Sequence, residues 1–235
     1  RTPTVHTMHS PLNSSIHTQY TKNQFYVSIS QNQRKPFPHL PWLATVYHGL
    51  DLAEFPVVLK PAPYLIAVGR IHPSKGTHLA IAIAKKLGKP LRLLGSFDPK
   101  DPYFIKQIKP HIDGKRILLT GFVSRAEYTR TIAHAEAMIF PVQWEEPFGL
   151  TMIEAMACGV PVVSFRRGSV PEIIQDKKTG FLVRTPAQAV VALKRVHTLD
   201  RRACRKLVEV RFSIDAMLTG YEQAFWRLAE RKTRA

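Results

Sequence analysis

Three carboxylates, Glu145, Glu146 and Glu154, interrupt the stretch EEPFGLTMIEAMACGVP at residues 145–161, which is otherwise almost wholly apolar, and Glu146 and Glu154 are the two that call for a role. A carboxylate in apolar surroundings costs several kcal/mol unless it has a partner. Pro147 and Gly149 mark the approach to a helix starting near Gly149, with Glu146 in the loop before it and Glu154 in its second turn. The free N–H groups of Gly149, Leu150 and Thr151 would then point out of a sheet edge, where with the helix dipole they favour an anion. Gly149 has no side chain to block a close backbone approach.

A second segment, AVGRIHPSKGTHLAIAIAKKLG at residues 67–88, supplies cations. A strand ends at Gly69, a loop carries Arg70 and Lys75, and Gly76 precedes a helix. A cationic loop between a parallel strand and a helix N-terminus suits a phosphate. The order Gly-x4-Gly-Lys-Ser/Thr of a P-loop is absent. Taken alone, the loop reads equally as a solvated Arg and Lys. Taken with the first segment, Arg70 and Lys75 could reach the same anion as the amides near Gly149.

The carboxylates would repel a phosphate, so they must face neutral groups that donate hydrogen bonds. Sugar hydroxyls fit. A nucleotide sugar carries hydroxyls on both sides of its diphosphate, which matches one carboxylate before the helix and one within it. Three other readings stand beside this one. A metal would want Asp and His clustered at ligand spacing, which is missing. A glycosidase pair would need carboxyl groups about 5–9 Å apart, which sequence spacing does not exclude. A merely solvated pair sits poorly with Met152, Ile153, Ala155, Met156 and Ala157, which leave Glu154 little polar face.

Positioning these groups requires strands and helices in alternation. Strands are expected at 4–8, 25–29, 43–47, 64–68, 91–95, 116–121, 137–141, 160–165 and 180–183. Helical patterns are expected near 76–87, 101–110, 124–135, 149–158 and 186–197. Strands apolar throughout and separated by helices predict an open, doubly wound, mainly parallel α/β sheet, with ligands beyond the carboxyl ends of the strands. Residues 1–47 offer three strands, 48–62 read as a hinge, and 63–212 as a regular domain. Residues 213–235 form an amphipathic helix, with Met217, Leu218, Tyr221, Ala224, Phe225 and Leu228 at three- and four-residue spacing. That helix could cover its own domain or reach back to the first.

Among 235 residues the net charge is +17, spread along the chain rather than gathered in a tail. Such an excess favours anionic ligands or an anionic membrane surface, or is simply a solvated basic surface. Nucleic-acid binding lacks an interleaved aromatic platform or a basic recognition helix. No run of about 18 uninterrupted apolar residues occurs. The two cysteines, Cys158 and Cys204, read as reduced structural thiols of a cytoplasmic protein. The opening at Arg1 leads us to expect an upstream segment.

Four ordered motifs resemble one family. VGRIHPSKG resembles the Gly-Arg-x-x-x-x-Lys-Gly signature of family 4 retaining glycosyltransferases with the GT-B fold, and EPFGLTMIEAMACGVPVV resembles their Glu-x7-Glu motif, here Glu146 to Glu154. RRGSVPEIIQDKKTGFLV at 166–183 resembles the loop that follows, and YHGLDLAEF at 47–55 the interdomain hinge, with His48 where Asn is commoner.

The resemblance implies a Rossmann-like donor domain at 63–212, a remnant of the acceptor-binding N-terminal domain at 1–47, and the missing remainder of that domain as a partner. It implies that Arg70 and Lys75 bind the donor diphosphate, that Glu154 takes the ribose hydroxyls and that Glu146 holds the donor sugar. Gly69 and the segment Phe148, Gly149, Leu150 and Thr151 would contact the donor, Phe122 would lie near the base, and His9 near the reacting centre. No metal or other cofactor is implied; the donor is a nucleotide-diphosphate sugar, a UDP-sugar by default. The acceptor is a glycan, lipid or small molecule, with peripheral membrane contact in prospect. As given, the chain would bind donor but transfer sugar poorly without its missing half. A non-catalytic nucleotide-sugar or polyanion-binding module and a nucleotide-sugar epimerase of the same fold remain alternatives.

Overall fold

Short runs of Val, Ile, Leu and Phe become strands here because helices cover both faces of the sheet they build. A computed structural model describes residues 3–11 and 24–233. Strands β1 (Thr4–Met8), β2 (Gln24–Ser28) and β3 (Trp42–Thr45) form a parallel sheet in that order, with the short helix α1 (Gln31–Arg34) after β2. A second sheet contains β4 (Leu65–Val68), β5 (Leu91–Leu94), β6 (Ile117–Gly121), β7 (Ala137–Phe140), β8 (Val162–Phe165) and β9 (Gly180–Val183). Its order is β6-β5-β4-β7-β8-β9, and every pairing is parallel. The helices threaded through it are α2 (Thr77–Leu87), α3 (Arg125–Ala133), α4 (Leu150–Ala157), α5 (Val170–Ile173), α6 (Pro186–Leu193) and α7 (Arg201–Arg211).

The strand order reverses at β4, which has β5 on one side and β7 on the other. At such a reversal the connections leave in opposite directions and open a crevice at the carboxyl ends of the two strands. Here that crevice lies beyond Val68 and Phe140. Alternation along each strand divides the core. Ile66, Met138, Phe140 and Val162 cluster with Met152 and Ile153 of α4, Leu207 of α7, and Phe212. Leu65, Leu91, Ile139 and Val163 cluster with Ile81 and Ala84 of α2 and with Ala189 and Leu193 of α6.

The chain passes between the sheets twice, and the two passages pair: Leu50 N–H donates to Phe212 O at 2.9 Å, and Ile214 N–H to Leu50 O at 3.1 Å. Beyond them α8 (Ile214–Thr233) lies on the three-stranded sheet, where Ala224 and Leu228 cluster with Val27, Leu43 and Val46. Of the two faces this helix could cover, it takes the first. No helix among the described residues is long and apolar enough to cross a membrane.

Besides the short helices α1 and α5, which lie outside the expected helical stretches, two longer elements differ from the sequence expectations. The stretch 101–110 is not an α-helix; a π-turn at Phe104–Ile108 runs into a 3-10 turn at Lys109–His111. Pro110 has no N–H, and its ring crowds the carbonyl four residues back, so a regular ladder cannot continue through it. Helix α7 lies outside the expected helical stretches, although Arg201, Cys204, Leu207 and Val208 stand three and four residues apart and bury one face of RRACRKLVEVR. Asp200 marks its start, with its side chain accepting from Arg202 N–H at 2.9 Å.

Candidate active site

Gly69 follows β4 directly, and the space where a side chain would stand is empty to 4 Å. The loop beyond it is joined to the loop after β7: Gln143 N–H donates to Ser74 O at 2.7 Å. At Gly76, with φ 69°, an added Cβ would lie 2.1 Å from Pro141 O, so only glycine lets the two loops close. This junction carries Lys75 to Glu146, whose Oε2 accepts from Lys75 Nζ at 2.6 Å and from Trp144 Nε1 at 2.8 Å. The ammonium also stands 5.1 Å from the Trp144 ring centroid and 5.8 Å from that of Phe140.

Gly149 touches the same group, since its missing Cβ would meet Glu146 Cγ at 3.4 Å and Phe140 Cζ at 3.6 Å. Helix α4 starts immediately after it. The N–H groups of Gly149, Leu150 and Thr151 donate to no acceptor among the described residues, as the opening of a helix leaves them. Free amides, an ammonium and an open glycine thus meet at the switch point.

Glu154 faces the other way, into α3. Tyr128 Oη donates to its Oε2 at 2.5 Å and Arg125 Nη1 to its Oε1 at 3.2 Å, while Arg125 Nε reaches Glu54 at 2.9 Å. The Glu154 side chain is 12% exposed. Burial first, and the neighbouring Glu154 carboxylate second, raise the Tyr128 phenol above its ordinary pKa. Tyr128→Phe removes one hydrogen bond to a buried charge and is expected to cost about 2 kcal/mol, or roughly 4–8 °C in Tm. An unchanged melting curve would show that Glu154 does not depend on that hydroxyl.

The remaining residues singled out in the sequence are placed less uniformly. Arg70 is exposed and makes no hydrogen bond or ion pair among the described residues. His9, at the end of β1, stacks on His48 with ring centroids 5.4 Å apart, and His48 packs edge-on against Phe148 at 5.0 Å. Burial, and then His9, lower the pKa of His48. Phe148 itself is buried. Phe122 follows β6, with β5 between it and β4, and is 88% exposed. The structure therefore gathers Gly69, Lys75, Glu146 and Gly149–Thr151 directly, joins His9 to them through two aromatic rings, and leaves Arg70 and Phe122 free at the rim.

One feature departs from the sequence reading. The sequence gives Lys75 and the carboxylates different ligand groups, yet Lys75 is bonded to Glu146 and Glu154 is bonded to Arg125. A buried carboxylate left unpaired is costly, so each takes a cation of the protein. Nothing local in the sequence marks the supporting residues Trp144, Arg125 and Tyr128. Arg125 and Tyr128 are three apart on α3 and so share a face, but only the packing of α3 beside α4 reveals what that face meets. Among the described residues no three His, Cys, Asp or Glu side chains gather as a metal-binding group.

Residues 54–208 match the family described as Glycosyl transferases group 1. The chain belongs to this family. It is similar to the glycogen synthase of Mycobacterium tuberculosis, at 32% identity over 157 residues, covering 61% of this chain and 36% of that protein. It is also similar to sulfoquinovosyl transferase SQD2 of Arabidopsis thaliana, at 30% identity over 176 residues, covering 73% of this chain and 32% of that one. With those shares matched, the chain spans about a third of the length of these curated relatives. Its fold is that of Anabaena Alr3699/HepE solved with UDP, at TM-score 0.77 and 18% identity over 97% of this chain and 72% of the other. The architecture of this group 1 glycosyl transferase is of the GT-B type, with a doubly wound, mainly parallel sheet.

Proposed function

We propose that this chain is the donor-binding half of a retaining glycosyltransferase that moves a sugar from a nucleotide-diphosphate sugar to an acceptor. One observation carries the reading: three unsatisfied amides at the start of α4 share the switch-point crevice with Lys75 and the buried Glu146, while the half-buried Glu154 sits further along the same helix. The diphosphate rests on the amides of Gly149, Leu150 and Thr151, with Lys75 and Arg70 as its cations. Glu146 accepts from hydroxyls of the donor sugar, and Glu154, held by Arg125 and Tyr128, keeps lone pairs for the ribose. Phe122 offers an exposed face to the base, and His9 approaches the reacting carbon from β1.

The bond from the anomeric carbon to the diphosphate oxygen breaks as the acceptor hydroxyl attacks from the same face. Its proton passes to the departing diphosphate. Charge accumulates on that leaving group, and fixed cations with a helix terminus stabilise it without reorganising. The resemblance to family 4 enzymes supports retention and a metal-free diphosphate site. A UDP-sugar is the first donor to try, since the solved fold neighbour Alr3699/HepE is described in complex with UDP and with UDP-glucose. The acceptor is a glycan, lipid or small molecule, and the excess of basic residues supports an anionic membrane surface as its setting.

A thermal-shift panel of UDP, GDP, ADP and a single-stranded oligonucleotide tests the reading. At 100 times Kd the correct diphosphate adds about 2.7 kcal/mol, or roughly 5–10 °C. Stabilisation by the oligonucleotide alone, or by none of the four, would overturn it.

A further inference from the structure

Glu146 is 6% exposed, and one of its oxygens, Oε2, takes both of its side-chain donors. Those donors differ in kind. Lys75 ends a flexible stem and is the cation a diphosphate would draw away. Trp144 is rigid, and its indole N–H can only donate, so it has no means of exchanging one role for another. If Lys75 turned to a phosphate and nothing else held Glu146, a buried carboxylate would be stranded, which is costly.

The backbone of Glu146 is fixed from the opposite side. Ser169 N–H donates to Glu146 O at 2.9 Å, and Gly168 lies so close that a Cβ there would stand 2.3 Å from Glu146 N. The carboxylate end is the part left to side-chain partners. Its second oxygen, Oε1, accepts from no donor among the described residues and is the one available to a hydroxyl.

Resting on the nucleotide-sugar reading above, we propose that Trp144 is a positioning residue whose indole N–H keeps Glu146 turned toward the donor sugar when Lys75 leaves that carboxylate for the diphosphate. Two ligand contacts are thereby separated. Lys75 answers to the diphosphate, which a nucleoside diphosphate and a nucleotide sugar both carry. Trp144 answers, through Glu146, to the sugar alone. The ring of Trp144 also lies under the Lys75 ammonium, so a phenylalanine in its place keeps the aromatic face and removes only the N–H.

Calorimetric titration of the 235-residue chain with two ligand pairs, UDP with UDP-glucose and GDP with GDP-mannose, reads this out. Trp144→Phe is expected to leave the nucleoside diphosphate Kd within about twofold and to weaken the matching nucleotide sugar about tenfold, the scale of one charge-assisted hydrogen bond. In a Glu146→Ala background, where the carboxylate is gone, Trp144→Phe is expected to change neither, because the two residues act as one. Equal weakening of both ligands, weakening of neither, or a full effect persisting in Glu146→Ala would overturn the proposal. Should Trp144→Phe fail to fold, Trp144→His keeps a ring donor; retained preference for the sugar-bearing ligand supports the role, and lost preference overturns it. A wild-type chain that binds none of the four ligands sinks the nucleotide-sugar reading itself, an outcome distinct from those on the variants.

Discussion

Lys75→Ala is expected to weaken nucleoside diphosphate binding about tenfold to a hundredfold and, in the same protein, to lower the melting temperature. The first effect follows from losing a charge-assisted contact of roughly 1.5–3 kcal/mol. The second follows from what remains behind. The Glu146 side chain is 8% exposed and the Lys75 side chain 22%, so removing the ammonium strands a carboxylate with Trp144 N–H as its one side-chain donor. Removing one member of a buried pair costs about 3–5 kcal/mol, and the partial exposure of Lys75 places this pair at the lower end. Glu146→Gln in the same chain removes the stranded charge and is expected to recover much of the stability but none of the nucleotide affinity. Thermal melts and UDP titrations of the two single variants, the double variant and the parent close the cycle. Strict additivity of the two stability changes would show that Lys75 and Glu146 are not a coupled pair.

Gly168→Ala is expected to lower both stability and ligand binding. Gly168 has φ 57°, and an added Cβ would lie 2.3 Å from both Glu146 N and Glu146 O and 2.8 Å from Glu145 C. Those neighbours are backbone atoms and cannot rotate away. The loop must shift, breaking the bonds from Gly168 N–H to Glu145 Oε2 at 2.8 Å and from Ser169 Oγ to Phe148 O at 2.7 Å. Gly114 supplies the control, because its φ is 69° and nothing lies within 4 Å of its missing Cβ. Gly114→Ala therefore carries only the left-handed backbone cost, about 1–2 kcal/mol. Gly168→Ala adds a packing clash of about 1–3 kcal/mol and displaces Glu146, so donor-sugar binding should fall along with stability. Melting temperatures within a degree or two of each other would mean that the Gly168 contact yields freely.

Residues far apart in sequence tie the three-stranded sheet to this loop cluster. Glu172 of α5 accepts from the N–H groups of Gln31 and Asn32 at 2.7 Å each and from Tyr47 Oη at 3.0 Å. Glu145, beside Glu146, accepts from Asn32 Nδ2 at 3.4 Å. Burial and the Glu172 carboxylate push the Tyr47 phenol up to about 12. The segment that carries the proposed donor site is thus held from both sides of the passage between the sheets.

Much of this was legible without coordinates because it is local. Whether a run such as AMIF becomes a buried parallel strand depends on its own residues and on the helices spaced between such runs, and all nine expected strands lie within a residue or two of those found. The amides free at Gly149 follow from a helix starting there, whatever lies around it. Tertiary structure alone decided which partners the two acids take. Lys75 and Glu146 are 71 residues apart, and Tyr128 and Glu154 are 26 apart. They meet because the sheet reverses its strand order at β4 and because α3 packs beside α4. A carboxylate's demand for a partner is fixed by its own burial, but the identity of the nearest donor is a property of strand order, which no short stretch of chain encodes.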